Sequence, residues 1–332
     1  MIISRTPLRV SFVGGGSDLP AFYSQEPGAV VSTTINKYIY IDVNKKFDHK
    51  IRASYSMTEL VDTVHELKHE LIREAMKLTG VTTGVEITSI SDVHSYGTGL
   101  GSSSTYTVGL LNALYAYQGR QVDAERLARE AAYIEIEVCS KPIGKQDQYI
   151  AAFGGLQYIQ FNPDRTVVTE PISCKAETRR MLESRLLMLY TGITRSADTI
   201  LAEQKINTES DRNKRDTLRH MTRMARELRV VLENNDLDAF GEIMHEAWLL
   251  KKGMASGISS EQIDDWYDRA RRNGALGGKI LGAGGGGFLL LYAHSERHPA
   301  IQAALPELEP MVFQFESQGS KIIYVDAPDR SE

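Results

Sequence analysis

The chain has 332 residues, of which 42% are hydrophobic and 24% are charged. This balance is ordinary for a globular protein, and the length gives two domains as the first expectation, at roughly 100–200 residues per domain. The net charge of −5 argues against a nucleic-acid-binding protein, whose usual mark is a basic patch or stripe. Two cysteines without CxxC spacing are too few for a disulfide framework and fit a reducing compartment.

No segment of the sequence predicts export or membrane insertion. The first residues lack the continuous apolar core of a signal peptide. The longest apolar run, 288–293, is far shorter than the roughly 20 residues that span a bilayer. We therefore expect a cytoplasmic protein, a monomer or dimer, with neither nucleic acid nor membrane among its partners.

The first half of the chain is predicted to mix strands with amphipathic helices. Alternating and β-branched stretches predict strands at 2–13, 29–43, 51–55, 85–90, 156–161 and 166–169. Apolar residues at helical spacing predict helices at 60–78, from about 102 to 117, and at 123–138. The first of these helices contains His65-Glu-Leu-Lys-His69, which spells the HExxH signature of zinc proteases. Such short matches also arise by chance, and no HxxGxxH extension follows.

The second half is richer in helix. A long helical region is predicted at 196–252 and another helix at 260–272. Further strands are predicted at 186–190, 288–292, 311–315 and 321–325, and the stretch 275–281 leads from the last helix into a glycine run. Strands first, then helices mixed with strands, predict an α+β fold of two intimately joined domains.

Three glycine-rich segments contain more glycine than folding alone requires, at 14–18, 97–104 and 282–287. Glycine lets the backbone adopt positive φ and approach a ligand closely, so three such segments suggest backbone amides around an anion. The middle segment precedes a predicted helix, whose free N–H groups and dipole suit a phosphate. A glycine turn followed by serine capping is the alternative. The P-loop, the dinucleotide fingerprint and the lipase elbow all fail to match it.

Three motifs in the same order resemble those of the GHMP kinases. They are Thr6-Pro-Leu-Arg-Val-Ser-Phe-Val-Gly-Gly-Gly-Ser-Asp18, the loop Gly97–Ser104 with its GLGSS core, and Gly278-Lys-Ile-Leu-Gly-Ala-Gly-Gly-Gly-Gly-Phe288. The resemblance implies an ATP-binding N-terminal domain at 1–175, a C-terminal domain at 176–332 and an active site in the cleft between them. It also implies ATP as the phosphoryl donor and Mg²⁺ as the metal.

Further stretches resemble the heptose 7-phosphate kinases within this family. They include GKQDQYIAAFGGL, TGITRSA and HEAWLLKK. The resemblance implies transfer of the ATP γ-phosphoryl group to the anomeric hydroxyl of D-glycero-D-manno-heptose 7-phosphate, for nucleotide-heptose and surface polysaccharide synthesis. Alternatives are a free-sugar 1-kinase (a fucokinase or a galactokinase-like enzyme), a regulator that binds sugar or nucleotide without turnover, and an unrelated dehydrogenase or metallohydrolase.

The resemblance also assigns residues to the chemistry. Asp147 matches the catalytic aspartate, and Arg9 matches a basic residue that orients the acceptor or stabilises transferring charge. Glu135 and Ser103 match the metal site. Glu137, two residues further along, is a nearby carboxylate that could be mistaken for the ligand. ATP-binding residues are predicted to be Gly97, Gly99, Leu100, Gly101, Ser102, Ser103 and Ser104. Without the resemblance, Asp147 reads as a helix cap, Arg9 as part of a strand-end salt bridge, and Glu135 as a solvated helix position.

The acceptor site is predicted from the first and last glycine motifs and from isolated cations. The predicted acceptor-binding residues are Gly14, Gly15, Gly16, Ser17, Asp18, Arg195, Lys251, Gly284 and Gly285. Galactokinases have Glu-His where this chain has Gly15-Gly16, which argues against galactose. Arg195 and Lys251 or Lys252 are the candidates for holding an acceptor phosphate, although surface lysines are common on long helices.

Overall fold

The computed structural model describes residues 1–94 and 97–326. The strands are β1 (Ile2–Val13), β2 (Gly28–Lys45), β3 (Ile51–Ser54), β4 (Thr58–Val61), β5 (Val85–Ser91), β6 (Leu156–Phe161), β7 (Val167–Pro171), β8 (Leu186–Tyr190), β9 (Ala275–Ile280), β10 (Phe288–Ala293), β11 (Glu309–Pro310), β12 (Phe315–Glu316) and β13 (Lys321–Val325). The helices are α1 (Pro20–Tyr23), α2 (Glu70–Thr79), α3 (Ser102–Tyr117), α4 (Ala124–Ala132), α5 (Gln146–Phe153), α6 (Ala176–Ser184), α7 (Ala197–Ser210), α8 (Arg212–Glu233), α9 (Asp238–Lys252), α10 (Glu261–Arg272) and α11 (His298–Ala304).

Two sheets organise the described residues, and the α+β prediction is confirmed. The larger sheet has nine strands with the central order β13-β1-β2-β5-β3-β4, and β6 and β12 also pair with the long strand β2. Its pairs are antiparallel apart from β3 with β5. The smaller sheet has the order β11-β8-β10-β9 and is antiparallel.

Strand β1 forms part of the core with one face and contributes to a cleft with the other. Leu8, Val10 and Phe12 are fully buried, and Phe12 packs edge-on against Phe240 of α9 at 5.2 Å between ring centroids. Because side chains alternate along a strand, Arg9 and Ser11 point the opposite way and line the cleft. The strand thus packs against the second half of the chain and positions two cleft residues.

The predicted helix at 60–78 is wrong at its N-terminal end. Residues 58–61 form β4, and α2 begins only at Glu70. The Glu59 carboxylate accepts hydrogen bonds from the backbone N–H groups of Lys68 and His69, at 2.7 and 3.0 Å, so it holds the preceding loop out of the helix. His69 instead caps α2 by accepting from the N–H of Ile72.

This geometry removes the zinc-protease interpretation. His65 lies in a short 3₁₀ turn and His69 at a helix cap, so the two do not share a helix face. Across residues 1–94 and 97–326, no group of three or more His, Cys, Asp or Glu side chains is placed to hold a metal. The same stretch of chain contains no helix long and apolar enough to cross a bilayer.

The remaining differences concern the ends of elements, the last strands and four helices that the sequence did not predict, α1, α5, α6 and α11. The helical region 196–252 is three helices, interrupted at Asp211 and at 234–237. The strand predicted at 311–315 is wrong, because only residue 315 and its neighbour Glu316 pair, with β2. β12 and β13 both join the larger sheet, which the division at 175/176 does not anticipate. That division stays a prediction.

Candidate active site

A cleft of about 1570 Å³ runs between the two sheets. Residues from all three glycine-rich segments line it, namely Gly15, Gly16 and Asp18 from the first, Gly97, Thr98, Gly99, Gly101, Ser102, Ser103 and Ser104 from the second, and Gly282 and Ala283 from the third. Arg9, Asp147, Arg195, Lys251 and Lys279 also line it. The fold therefore brings most of the predicted site residues to one cavity.

Asp147 and Arg9 form a bidentate pair in this cleft. Asp147 lies in the first turn of α5, and its two carboxylate oxygens accept from Nε and Nη2 of Arg9, each at 2.8 Å. The third nitrogen, Nη1, donates to the carbonyl of Gly99. The Arg9 side chain is only 5% exposed and that of Asp147 22%. Arg9 therefore fixes the aspartate carboxylate beside the second glycine loop.

The second glycine loop ends at the N-terminus of α3. Gly101 is the N-cap residue, and no side chain caps the helix. The alternative of serine capping is therefore wrong. The buried hydroxyls of Thr98 and Ser102 have no hydrogen-bond partner among the described residues. Unpaired buried donors beside a free helix N-terminus fit an anionic ligand such as a phosphate.

The second and third glycine loops touch through their backbones. Gly99 has φ +77°, and a Cβ on it would lie 2.3 Å from the carbonyl oxygen of Leu281. A side chain at Gly99 would therefore force the two loops apart. Leu100, predicted to bind ATP, is instead fully buried, and its carbonyl accepts from the N–H of Arg9 at 3.1 Å. It anchors the loop from behind and is not among the cleft-lining residues.

Glu135 lies inside the protein next to Ser103. It belongs to the π-helical turn Tyr133–Val138 that follows α4, and it is fully buried. Its carboxylate accepts from Ser103 Oγ and from Gln148 Nε2, each at 2.6 Å. Burial raises the pKa of Glu135 above its usual range, and these hydrogen bonds act in the opposite direction.

This donor set fits a magnesium ion. Mg²⁺ prefers one or two carboxylates together with phosphate oxygens and water, and Glu135 has no cationic partner within 4 Å among the described residues. Ser103 is exposed to the cleft, so its hydroxyl links the buried carboxylate to the second glycine loop. Glu137 is 56% exposed and pairs with Arg165 at 3.7 Å, so it points away.

For the kinase activity that the sequence resemblance implies, replacing Glu135 with Gln is expected to raise the Mg²⁺ concentration needed for half-maximal phosphoryl transfer. The amide keeps the shape but removes the charge that would hold the ion. Glu137→Gln is the matched control and should leave the Mg²⁺ requirement unchanged. Titrating Mg²⁺ at saturating ATP measures both variants. The reverse order of effects would make Glu137 the ligand.

Asp18 connects the first glycine loop to the start of α5. Its carboxylate accepts from the N–H of Gly16 at 2.8 Å and from Gln146 Nε2 at 3.1 Å. Asp18 is 3% exposed, and burial raises the pKa of its carboxyl. Gly14 and Ser17 do not line the cleft. The Ser17 hydroxyl donates to the Gly14 carbonyl, so these two residues shape the turn that presents Gly15, Gly16 and Asp18.

The prediction that Gly284 and Gly285 bind substrate is not supported by their positions. Neither lies among the cleft-lining residues. A Cβ on Gly284 would be 2.6 Å from the carbonyl oxygen of Ile258, and one on Gly285 would be 2.8 Å from that of Gly257. These glycines allow close backbone packing within the C-terminal half, and the residues of this segment that line the cleft are Gly282 and Ala283.

The three candidate cations have different environments. Arg195 is exposed to the cleft, and no described residue pairs with its guanidinium. Lys251 is 5% exposed and donates to the Gly15 carbonyl at 3.2 Å and to Gln204 Oε1 at 2.7 Å. Burial lowers the pKa of Lys251 to about 8. Lys252 instead pairs with Asp264 at 2.9 Å and does not line the cleft.

The chain matches two models of one protein family. The GHMP kinases N-terminal domain matches residues 60–155, and the GHMP kinases C-terminal domain matches residues 228–309. A mevalonate kinase of Thermococcus sibiricus is 30% identical over 74% of this chain and 71% of its own length. The chain belongs to the GHMP kinase family. Members of this family are ATP-dependent kinases.

One relative and one solved structure match this GHMP kinase over nearly its full length. A D-glycero-alpha-D-manno-heptose 7-phosphate kinase of Campylobacter jejuni is 28% identical over 96% of this chain and 98% of its own length. The crystal structure of a D-glycero-D-manno-heptose 1-phosphate kinase from Bacteroides thetaiotaomicron superposes with a TM-score of 0.82. It is 24% identical and covers 98% of this chain and 100% of that one, a likeness that shows the fold.

Sequence reasoning missed several cleft residues of this GHMP kinase. Lys279 precedes the last glycine segment and is 7% exposed in the cleft. Its position inside the quoted Gly278–Phe288 motif was the available signal. At the other end of the cleft, Tyr55, His69 and Lys141 also contribute to the lining. Of these three, only His69 belongs to a motif, the HExxH match, and that match pointed to zinc. They come from different elements that meet only in the fold.

Proposed function

We propose that this GHMP kinase transfers the γ-phosphoryl group of ATP to the anomeric hydroxyl of a sugar phosphate. D-glycero-D-manno-heptose 7-phosphate is the proposed acceptor, and the product would enter nucleotide-heptose and surface polysaccharide synthesis in the cytoplasm. The observation that carries the proposal is the Arg9–Asp147 pair, held between the second glycine loop and the Asp18 loop. The full-length likeness to a heptose 7-phosphate kinase supports the choice of acceptor.

Asp147 is the proposed proton acceptor. As the acceptor oxygen attacks the γ-phosphorus, its proton passes to the Asp147 carboxylate, and the bond from the γ-phosphorus to the bridging oxygen of ADP breaks. Arg9 fixes both carboxylate oxygens, so the aspartate meets the hydroxyl without a search over rotamers.

The ATP phosphates are proposed to lie on the loop 97–104 and the N-terminus of α3. Glu135 and Ser103 would hold a Mg²⁺ ion beside them. When bound, such an ion neutralises charge on the phosphate oxygens. The unpaired hydroxyls of Thr98 and Ser102 are further donors for these oxygens.

The acceptor is proposed to bind at the Asp18 end of the cleft. The Asp18 carboxylate would accept a hydrogen bond from a sugar hydroxyl, while Gly15 and Gly16 leave room for a larger sugar than galactose. Arg195 is the proposed phosphate ligand, because a guanidinium binds a phosphate with two parallel hydrogen bonds and this one is exposed to the cleft. Lys251 is the second candidate.

Heptose 7-phosphate is expected to be turned over far better than the same heptose without its phosphate. Arg195→Ala should erase most of that preference by raising KM for the phosphorylated sugar about 10-fold or more, the value of a charge-assisted hydrogen bond. KM for ATP should change little. Steady-state kinetics with both sugars measure these effects.

Lys252→Ala is the matched control, because Lys252 is engaged with Asp264 outside the cleft. It should leave both KM values unchanged. Equal kcat/KM for the two sugars in the wild-type enzyme would contradict the proposal that the enzyme binds the acceptor through its phosphate. It would favour a free-sugar kinase such as a fucokinase.

The proposed function itself is tested by ATP turnover against a panel of acceptors. Heptose 7-phosphates, fucose, galactose and mevalonate separate the main possibilities within the family. The expected result is turnover of heptose 7-phosphate with NMR evidence of a new phosphate at the anomeric carbon. No ATP consumption with any acceptor would instead favour a binding protein without turnover.

A further inference from the structure

Lys279 is a buried cation with few partners. It lies on β9, is 7% exposed and lines the cleft. Its ammonium can donate three hydrogen bonds, yet within the described part of the chain it makes one, of 3.4 Å, to the Phe12 carbonyl. No carboxylate among those residues lies within 4 Å of it. Buried ammonium groups are normally paired, so this one is set up to meet an anion.

The position of Lys279 is between the two loops that would bring the reactants together. Two residues further along the chain, the carbonyl of Leu281 touches Gly99 in the proposed ATP loop. Its own hydrogen-bond partner, Phe12, lies two residues before the first glycine loop. The side chain is thus anchored where the nucleotide phosphates and the acceptor would approach each other.

Arg9, a second cation near Lys279, already has partners for all three of its guanidinium nitrogens. Two nitrogens of Arg9 donate to Asp147 and the third to the Gly99 carbonyl. The Asp147 carboxylate balances the charge of Arg9. This argues against the sequence prediction that Arg9 stabilises the charge on the transferring group. Lys279 retains both donors and charge for a phosphoryl group.

We propose that Lys279 is a catalytic residue that contacts the phosphoryl group as it passes from ATP to the acceptor. This inference rests on the proposed function as an ATP-dependent kinase. The Lys279 ammonium keeps its protons and donates hydrogen bonds to the oxygens of the transferring group, while Asp147 takes the acceptor proton and ADP leaves. Cations placed where charge gathers in the transition state are the main protein contribution to phosphoryl transfer.

The surroundings of Lys279 support a need for an anion. Burial lowers the pKa of Lys279 to about 7, and the charges of Lys251 and Arg9 act in the same direction. Asp18 is the carboxylate that opposes them. An arriving polyphosphate would add the negative charge that this cluster lacks and hold the ammonium in its charged form.

The experiment compares the binding of ADP and of AMP-PNP, a nucleotide with a γ-phosphoryl group, by calorimetry with Mg²⁺ and without acceptor. Lys279→Met is expected to weaken AMP-PNP binding by about 10-fold or more and to leave ADP binding unchanged. Lys279→Arg should retain most of the AMP-PNP affinity. Lys252→Met is the matched control, because Lys252 pairs with Asp264 and should change neither affinity.

The same variants distinguish this role from two others. In turnover assays Lys279→Met should lower kcat by about 10²-fold with phosphorylated and unphosphorylated sugars alike. A rise in KM confined to the phosphorylated sugar would overturn the inference and make Lys279 an acceptor-phosphate ligand. Equal losses for ADP and AMP-PNP would also overturn it, in favour of a structural role.

The binding result separates this inference from the choice of acceptor. A wild-type enzyme that fails on every sugar phosphate, but loses AMP-PNP selectively through Lys279→Met, retains the Lys279 contact and loses only the acceptor assignment. A wild-type enzyme that phosphorylates heptose 7-phosphate, with AMP-PNP binding unchanged by Lys279→Met, retains the proposed function and loses this inference.

Discussion

Asp147→Asn is expected to lower kcat by about 10²-fold or more, in line with the usual contribution of a general base. The amide keeps the shape of the side chain but cannot accept the acceptor's proton, and it can accept only one of the two hydrogen bonds that Arg9 donates. ATP affinity should change little, because the proposed phosphate-binding groups lie on the loop 97–104 and at Lys279, and Asp147 is not one of them. Single-turnover kinetics measure the chemical step, and calorimetry measures the nucleotide.

Asp164→Asn is the matched control for this change. Asp164 lies in the turn between β6 and β7, where its carboxylate accepts from Thr166 at the surface. Its substitution should leave kcat unaltered. Unaltered kcat in a folded Asp147→Asn variant would remove Asp147 from the mechanism.

Arg9→Met is expected to destabilise the fold as well as the reaction. Removing one partner of a buried ion pair leaves the other charge uncompensated, at a cost of about 3–5 kcal/mol in the free energy of unfolding. The exposures of Arg9 and Asp147, at 5% and 22%, place this pair near the buried limit. Urea denaturation, with the change in midpoint and slope, measures the effect.

Two further variants test the physical reason. In Arg9→Met/Asp147→Asn the uncompensated charge is gone, so most of the lost stability should return, and the double-mutant cycle gives the coupling. Arg219→Met breaks an exposed pair with Glu26, and such pairs contribute about 0–1 kcal/mol. An Arg9→Met variant that is no less stable than Arg219→Met would show that solvent screens the Arg9–Asp147 pair.

Local pattern was sufficient for much of the fold. The short apolar strands β6 and β8 have the predicted boundaries, because each is bounded by turn residues and buried nearly throughout. The three ordered motifs were sufficient for the family and for the choice of Arg9 and Asp18, and the segment GKQDQY for that of Asp147; all three residues line one cavity. Each of these signals is contained in one short stretch of the chain, which is why it can be recognised without knowing the fold.

Other features depend on contacts between distant residues. Helical spacing at 60–78 could not reveal that Glu59 captures the N–H groups of the loop before α2. Composition could not show that Gly284 serves backbone packing whereas Gly282 lines the cleft. The role of a single lysine in a strand, such as Lys279, can be inferred only from the residues and the cavity that surround it in the fold.

The pairing of β13 with β1 has a consequence for how the protein is made. Ile2 lies opposite Val325, so during synthesis β1 must wait until β13 has been made before its outer edge is covered. Until then β1 presents unpaired N–H and C=O groups that other strands could recruit. Domains usually fold in the order of synthesis, but here the N-terminal sheet cannot be completed first. Nascent chains stalled before residue 321 are therefore the form of this protein most exposed to misassembly and most dependent on chaperones.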